Sequence, residues 1–98
     1  MNLPVILSRL AQAEFDDAAD WYEQQKAGQG MAFTYAVLQV LVGLGSRPEA
    51  HSEVNENVRE ALVTRHPYAV CYRPEPAQVT VLAVFHTSRD PAEWQGRA

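Results

Sequence analysis

The sequence predicts an α+β domain with the element order β-α-α-β-β-β, a two-helix hairpin packed on one face of a four-stranded, mainly antiparallel sheet. Three observations carry this. Two segments of the first half repeat apolar residues at steps of three and four, with a glycine-containing break between them. Three apolar runs crowd the second half, separated by short proline-containing turns. A brief apolar run precedes all of these.

That opening run, Leu3 to Leu7, contains Val5 and Ile6 and suits a strand. Pro4 lacks an N–H, so an edge position harms it least. Ser8 follows as a helix N-cap. From Arg9 to about Lys26, Ala11, Phe15, Ala18 and Tyr22 form an apolar stripe, and Glu14, Asp16, Asp17, Asp20 and Glu23 are expected to face water. Gly28 and Gly30 break the pattern. Phe33, Val37, Val40, Leu41 and Leu44 then build a second helix that stops near Gly43, Gly45 and Pro48. With so short a connection the helices must pack antiparallel.

The polar stretch from Arg47 to Glu56 reads as a loop. Strands are expected over Val58 to Thr64, over Tyr68 to Arg73 with Tyr68, Val70 and Tyr72 on one face, and over Val79 to His86. His66-Pro67 and Pro74-Glu75-Pro76 punctuate them as turns of a meander. In the last strand Val79, Val81, Ala83 and Phe85 alternate with Leu82 and Val84. A strand apolar on both sides belongs inside a sheet with both faces covered. Two helices cover only one face, so the other is expected to need a partner segment.

A chain of 98 residues, 47% hydrophobic and 20% charged, has the composition of one folded unit, expected to span 1–98. Met1 to Leu10 lacks the pattern of a secretory signal, and no run approaches the roughly 20 apolar residues of a membrane span, which predicts a soluble cytoplasmic protein with no membrane partner. The net charge of −4 argues against a broad grip on nucleic acid, although Arg59, Arg65, Arg73, Arg89 and Arg97 gather in the second half. The single cysteine, Cys71, lies in an apolar run and is expected to be buried and inert. His51, His66 and His86 lack ligand spacing, so no metal site is expected, and no phosphate loop or other cofactor motif is present.

Several segments together resemble the RelE/ParE toxins: Val58-Arg59-Glu60-Ala61-Leu62-Val63, His66-Pro67-Tyr68-Ala69-Val70-Cys71-Tyr72-Arg73, and Val81 through Pro91 with its His86-Thr87-Ser88-Arg89-Asp90-Pro91 ending, then Trp94. Ala11, Phe15, Asp17, Ala18, Trp21 and Tyr22 look like the family's first helix, so the resemblance spans nearly the whole chain. It implies the toxin half of a type II toxin-antitoxin pair, neutralised in a hetero-oligomer with a cognate antitoxin. It divides on the target: RelE-like members cut mRNA on the ribosome, and ParE-like members poison DNA gyrase.

RNA cleavage through the 2′-hydroxyl needs a base, an acid and a cation at one phosphodiester. RelE-like nucleases carry lysines and arginines on the sheet, one directly after the first tyrosine of the third strand. Here that position is Ala69, and the only lysine is Lys26. The leading expectation is therefore a ParE-like gyrase inhibitor with no catalytic residues. A ribosome-dependent endonuclease would call on Arg65 as phosphate clamp, His86 as acid and Glu60 as base. An inactive module that only binds antitoxin is the third reading. Arg59, Arg65, Arg73, His86, Arg89 and Trp94 are the candidate partner-binding residues, with Trp94 also expected to open a short terminal helix and seal the sheet edge.

Overall fold

Residues 2–97 are described by a computed structural model, in which Ser8 opens the helical half of the chain; Met1 and Ala98, the ends of the expected unit, lie outside the described residues. The Ser8 side chain accepts the Ala11 N–H at 3.1 Å and caps α1 (Arg9–Gln25), which follows β1 (Val5–Leu7). Helix α1 buries Ala11, Phe15 and Ala18. Helix α2 (Gln29–Ser46) starts four residues before the first apolar residue of its stripe, because Gly28 and Gly30 begin it instead of preceding it. Gly28 has φ +93°, open to glycine at little cost, and the Glu23 carboxylate accepts the N–H groups of Gly28 and Gly30 at 3.0–3.1 Å. The C-terminal glycines do not stop α2 either. It runs through Gly43 and Gly45 because Gly45 lies against β1: a Cβ there would sit 2.7 Å from the Leu3 carbonyl oxygen.

The sheet has five strands, in the order β1-β5-β4-β3-β2, with β2 (Ser52–Asn55), β3 (Val58–Leu62), β4 (Tyr68–Pro74) and β5 (Val79–His86) antiparallel to their neighbours and β1 parallel to β5. The expected four strands miss β2, which the sequence presents as loop. All four of its residues are exposed, so it carries no apolar alternation. Backbone pairing holds it instead, Ser52 opposite Glu60 and Glu53 opposite Arg59, up to a bulge between Glu53 and Asn55. Side chains from the sheet tie down the preceding segment. Arg59 donates to the His51 carbonyl at 2.6 Å, and the Tyr72 hydroxyl donates to the Pro48 carbonyl at 2.8 Å.

Strand β5 lies between β1 and β4 and is buried on both faces, as its composition demands. Its alternation is not the simple one. Cys71 pairs with Ala83 but Tyr72 pairs with Val81, so Leu82 is an extra residue and the facing reverses there. Val79, Val81 and Val84 therefore face the helices with Val70 and Tyr72. Leu82, Ala83 and Phe85 face away, beside Ala69 and Cys71.

The second face, expected to lie open, is covered by the chain itself. After the turn at Arg89-Asp90-Pro91, α3 (Ala92–Gln95) lays Trp94 over it at 2% exposure, edge-on to Phe85 with ring centroids 6.2 Å apart. Trp94 thus seals a face of the sheet and not its edge.

Two substitutions test this packing. Trp94→Ala removes the main cover of the second face and should cost about 3–5 kcal/mol in urea unfolding. Gly43→Ala meets nothing within 4 Å and should gain up to about 1 kcal/mol of helix propensity, whereas Gly45→Ala should destabilise because backbone must move. Equal effects at the two glycines would refute the close approach of α2 to β1.

Candidate partner-binding cleft

The polar feature that ties α1 to the sheet is Glu14. Strand β1 pairs with β5 only as far as Leu7 opposite Val81, so further along β5 its outer edge has no strand beside it. Glu14 fills that gap: its Oε1 accepts the Val84 N–H at 3.1 Å. Arg97 grips both Glu14 oxygens at 3.0 Å and donates to the Leu82 carbonyl at 3.1 Å, and the Ser8 hydroxyl donates to the same carbonyl at 3.4 Å. Side chains thus occupy a strand edge that would otherwise offer free backbone groups. Glu14 does not face water as its place among the acidic residues suggested. It and Arg97 keep only about a quarter of their side-chain surface, and the fork of two parallel bonds is the strong form of this pair.

Beyond this clasp, α1 and the end of the sheet enclose an open cleft of about 630 Å³. One wall is a single stripe of α1, with Asp17 and Trp21 one turn apart beside Glu14, Ala18 and Tyr22. The other wall comes from Pro67, Tyr68, Val84 and the β5 end with His86, Ser88 and Arg89. The floor is aromatic: Tyr22 lies 6.1 Å from Tyr68 and Tyr68 5.1 Å from His86, and Trp21 stands edge-on to Tyr22 at 5.2 Å. Burial raises both tyrosine pKa values; the other phenol adds to this at Tyr22, while Arg89 opposes it at Tyr68. Both therefore stay neutral donors across the physiological range.

The His86 ring, which lines the cleft, is held in one tautomer. Its Nδ1 lies 3.1 Å from the Ser88 backbone N–H, which can only donate, and 2.7 Å from the Ser88 hydroxyl. Nδ1 must accept, so the neutral ring carries its proton on Nε2.

Of the six candidate partner-binding residues, the cleft gathers two, His86 and Arg89. Arg59 is engaged with the Glu49 and His51 carbonyls beside β2. Arg73 lies at the opposite end of β4, where its Nε donates to Glu75 at 2.9 Å. Arg65 is exposed in the β3–β4 turn with φ +65° and lines no part of the cleft. Trp94 is a core residue of the second face, so contact with a partner would require α3 to lift away. The nuclease set does not converge either. Glu60 pairs with Cys71 and shares its face, while His86 pairs with Tyr68 on the helix side, so the sheet separates them. Sequence reasoning did not single out Asp17, Trp21 and Tyr22 as a site, although their spacing with Glu14 and Ala18 at i, i+3, i+4, i+7 and i+8 was the available signal.

Among the described residues no group of three or more His, Cys, Asp or Glu side chains is placed to hold a metal, and no helix is long and apolar enough to cross a membrane. A family model described as the ParE toxin of the type II toxin-antitoxin system parDE matches residues 5–91. No curated protein matches the chain. Among solved structures, a chain of the chromosomal ParDE TA system from P. aeruginosa superposes with a TM-score of 0.78 over 88% of this chain and 97% of that one, at 14% identity, a likeness of fold.

The clasp and the buried thiol each have a measurable consequence. Arg97→Ala leaves the Glu14 carboxylate without its cation and should cost about 1–3 kcal/mol, with faster amide exchange at Val84. Burial, with Glu60 and Glu14 nearby, pushes the Cys71 thiol from 9.0 up to about 12. The unfolded chain therefore ionises first, so this contribution is intact below about pH 9 and is lost as pH rises toward 12. The raised phenols of Tyr22, Tyr68 and Tyr72 act with the same sign above pH 10. Urea midpoints should fall steadily across this range, less steeply in Cys71→Ala, and native Cys71 should resist thiol reagents at pH 8.

Proposed function

Because the chain belongs to the ParE toxin family of type II toxin-antitoxin systems, we propose that it inhibits DNA gyrase in the cytoplasm and is neutralised by a cognate antitoxin. The family match over residues 5–91 carries the reading. Two features of the surface support it. The outer side of α2 exposes Met31 (78%), Tyr35 (65%), Leu38 (45%) and Val42 (72%) at i, i+4, i+7 and i+11, a continuous apolar ridge of the kind that a protein partner covers. The set that RNA cleavage would call on, Arg65, His86 and Glu60, is also dispersed, since Glu60 lies on the far face from His86 and Arg65 lines no part of the cleft. Poisoning a target by binding needs no such set.

The test is a pair of assays with the purified chain, each with and without the antitoxin encoded beside it. Gyrase supercoiling should be inhibited and cleavage complexes should accumulate, while mRNA on translating ribosomes stays intact; added antitoxin should restore supercoiling. Ribosome-dependent cuts with unaffected gyrase would overturn the reading. Leu38→Glu, on an exposed helix position, should weaken antitoxin binding while leaving the unfolding midpoint nearly unchanged.

A further inference from the structure

The cleft between α1 and the end of β5 is bipolar, and its two walls do not satisfy each other. Asp17 is exposed on one wall, and Arg89 is exposed on the other. Among the described residues neither forms an ion pair, and neither side chain makes a hydrogen bond. Glu14, the second acid of the cleft, is already matched by Arg97. One turn from Asp17, Trp21 leaves 55% of its surface open although it belongs to the aromatic floor. A carboxylate beside an accessible indole ring is the combination that receives a cation, through an ion pair on one side and the ring face on the other.

The surrounding charge decides the sign of the ligand. Besides Glu14, which Arg97 offsets, helix α1 carries Asp16, Asp17, Asp20 and Glu23 against the single cation Arg9. That field draws a basic group toward the α1 wall. Across the cleft, His86 offers Nε2–H and Arg89 its guanidinium, donors that suit the carbonyl oxygens of an extended main chain. A volume of about 630 Å³ admits a short peptide segment.

We infer that this cleft receives a lysine or arginine side chain from an extended segment of the antitoxin, seated between the Asp17 carboxylate and the Trp21 ring, with the segment's carbonyls accepting from His86 and Arg89. The inference rests on the antitoxin reading for the identity of the partner, but the chemistry of the cleft is testable without it. Asp17 has no role in the fold, so its removal tests binding alone.

The first arm titrates the full chain, labelled for NMR, with the blocked tripeptide Gly-Arg-Gly and with its glutamine and glutamate counterparts. The Trp21 indole N–H should shift saturably with the arginine peptide only, and the buried Trp94 indole should stay still as an internal reference. Asp17→Asn should weaken this binding about tenfold, and added salt should weaken it further. The second arm measures antitoxin affinity. Asp17→Asn should again cost about tenfold, whereas Asp16→Asn, the same charge change at an exposed α1 position that lines neither the cleft nor the groove toward α2, should leave affinity unchanged. Glutamine peptide binding as well as arginine peptide, no saturable shift at Trp21, or equal antitoxin affinity for Asp17→Asn and the native chain would each overturn the proposal. If the antitoxin binds no form of the chain, the antitoxin reading fails, and the peptide arm still decides what the cleft accepts.

Discussion

Strand β5 must be dry on both sides, and the architecture follows from that constraint. Val79, Val81 and Val84 face one way and Leu82, Ala83 and Phe85 the other, with no polar residue among these six. Each face needs an apolar cover, since leaving it wet forgoes roughly 25 cal/mol per Å². The helix hairpin covers one side through Phe15, Phe33, Val37 and Leu44. The chain ends by returning Trp94 to the other. The hairpin and the terminal turn are therefore two answers to one requirement.

The same strand creates the site. Beside β1 its edge is paired, but after Val81 the pairing ends and the Leu82 bulge turns the backbone. Free N–H and C=O groups appear there, and Glu14, Ser8 and Arg97 take them up. A carboxylate committed to a strand edge holds α1 to the sheet at that level. Beyond it the helix and the strand end part, and the gap is the cleft, with aromatic rings on its floor and charges of opposite sign on its walls. The wall charges are left unpaired while the charge below them is fully paired. That contrast separates a structural ion pair from groups still open to a ligand.

A small protein that presents a binding surface must combine a rigid fold with exposed, unsatisfied groups. Here the two are segregated. The core clusters hold every buried residue of the sheet, the ridge on α2 lies outside them, and the cleft on α1 borrows only Ala18 and Val84 from them while Asp17 and Arg89 on its walls are exposed. The unsatisfied Trp94 indole N–H is an exception inside the core, a buried donor with no partner among the described residues. The packing of that ring is apolar contact alone.

The sequence by itself determined the elements whose residues report their own surroundings. Ser8 marked the start of α1, the stripes of three and four marked the helices, and the apolar run from Val79 to His86 gave β5 its bounds and its two-sided burial. The resemblance in the second half pointed to the family. Tertiary structure alone decided the rest, because the relevant partners are distant in sequence. Strand β2 exists through its ladder to β3 and not through any pattern of its own. The facing of Ala83 and Phe85 depends on a bulge set by pairing with β4. Glu14 looked like one more solvated acid until Val84 and Arg97, 70 and 83 residues away, reached it. The sequence marks Arg59 and Arg73 as candidate partner contacts, and only the fold shows the loop carbonyls and Glu75 that accept from them. Periodicity records which side of an element is apolar, and only the assembled chain settles which polar groups have already found each other.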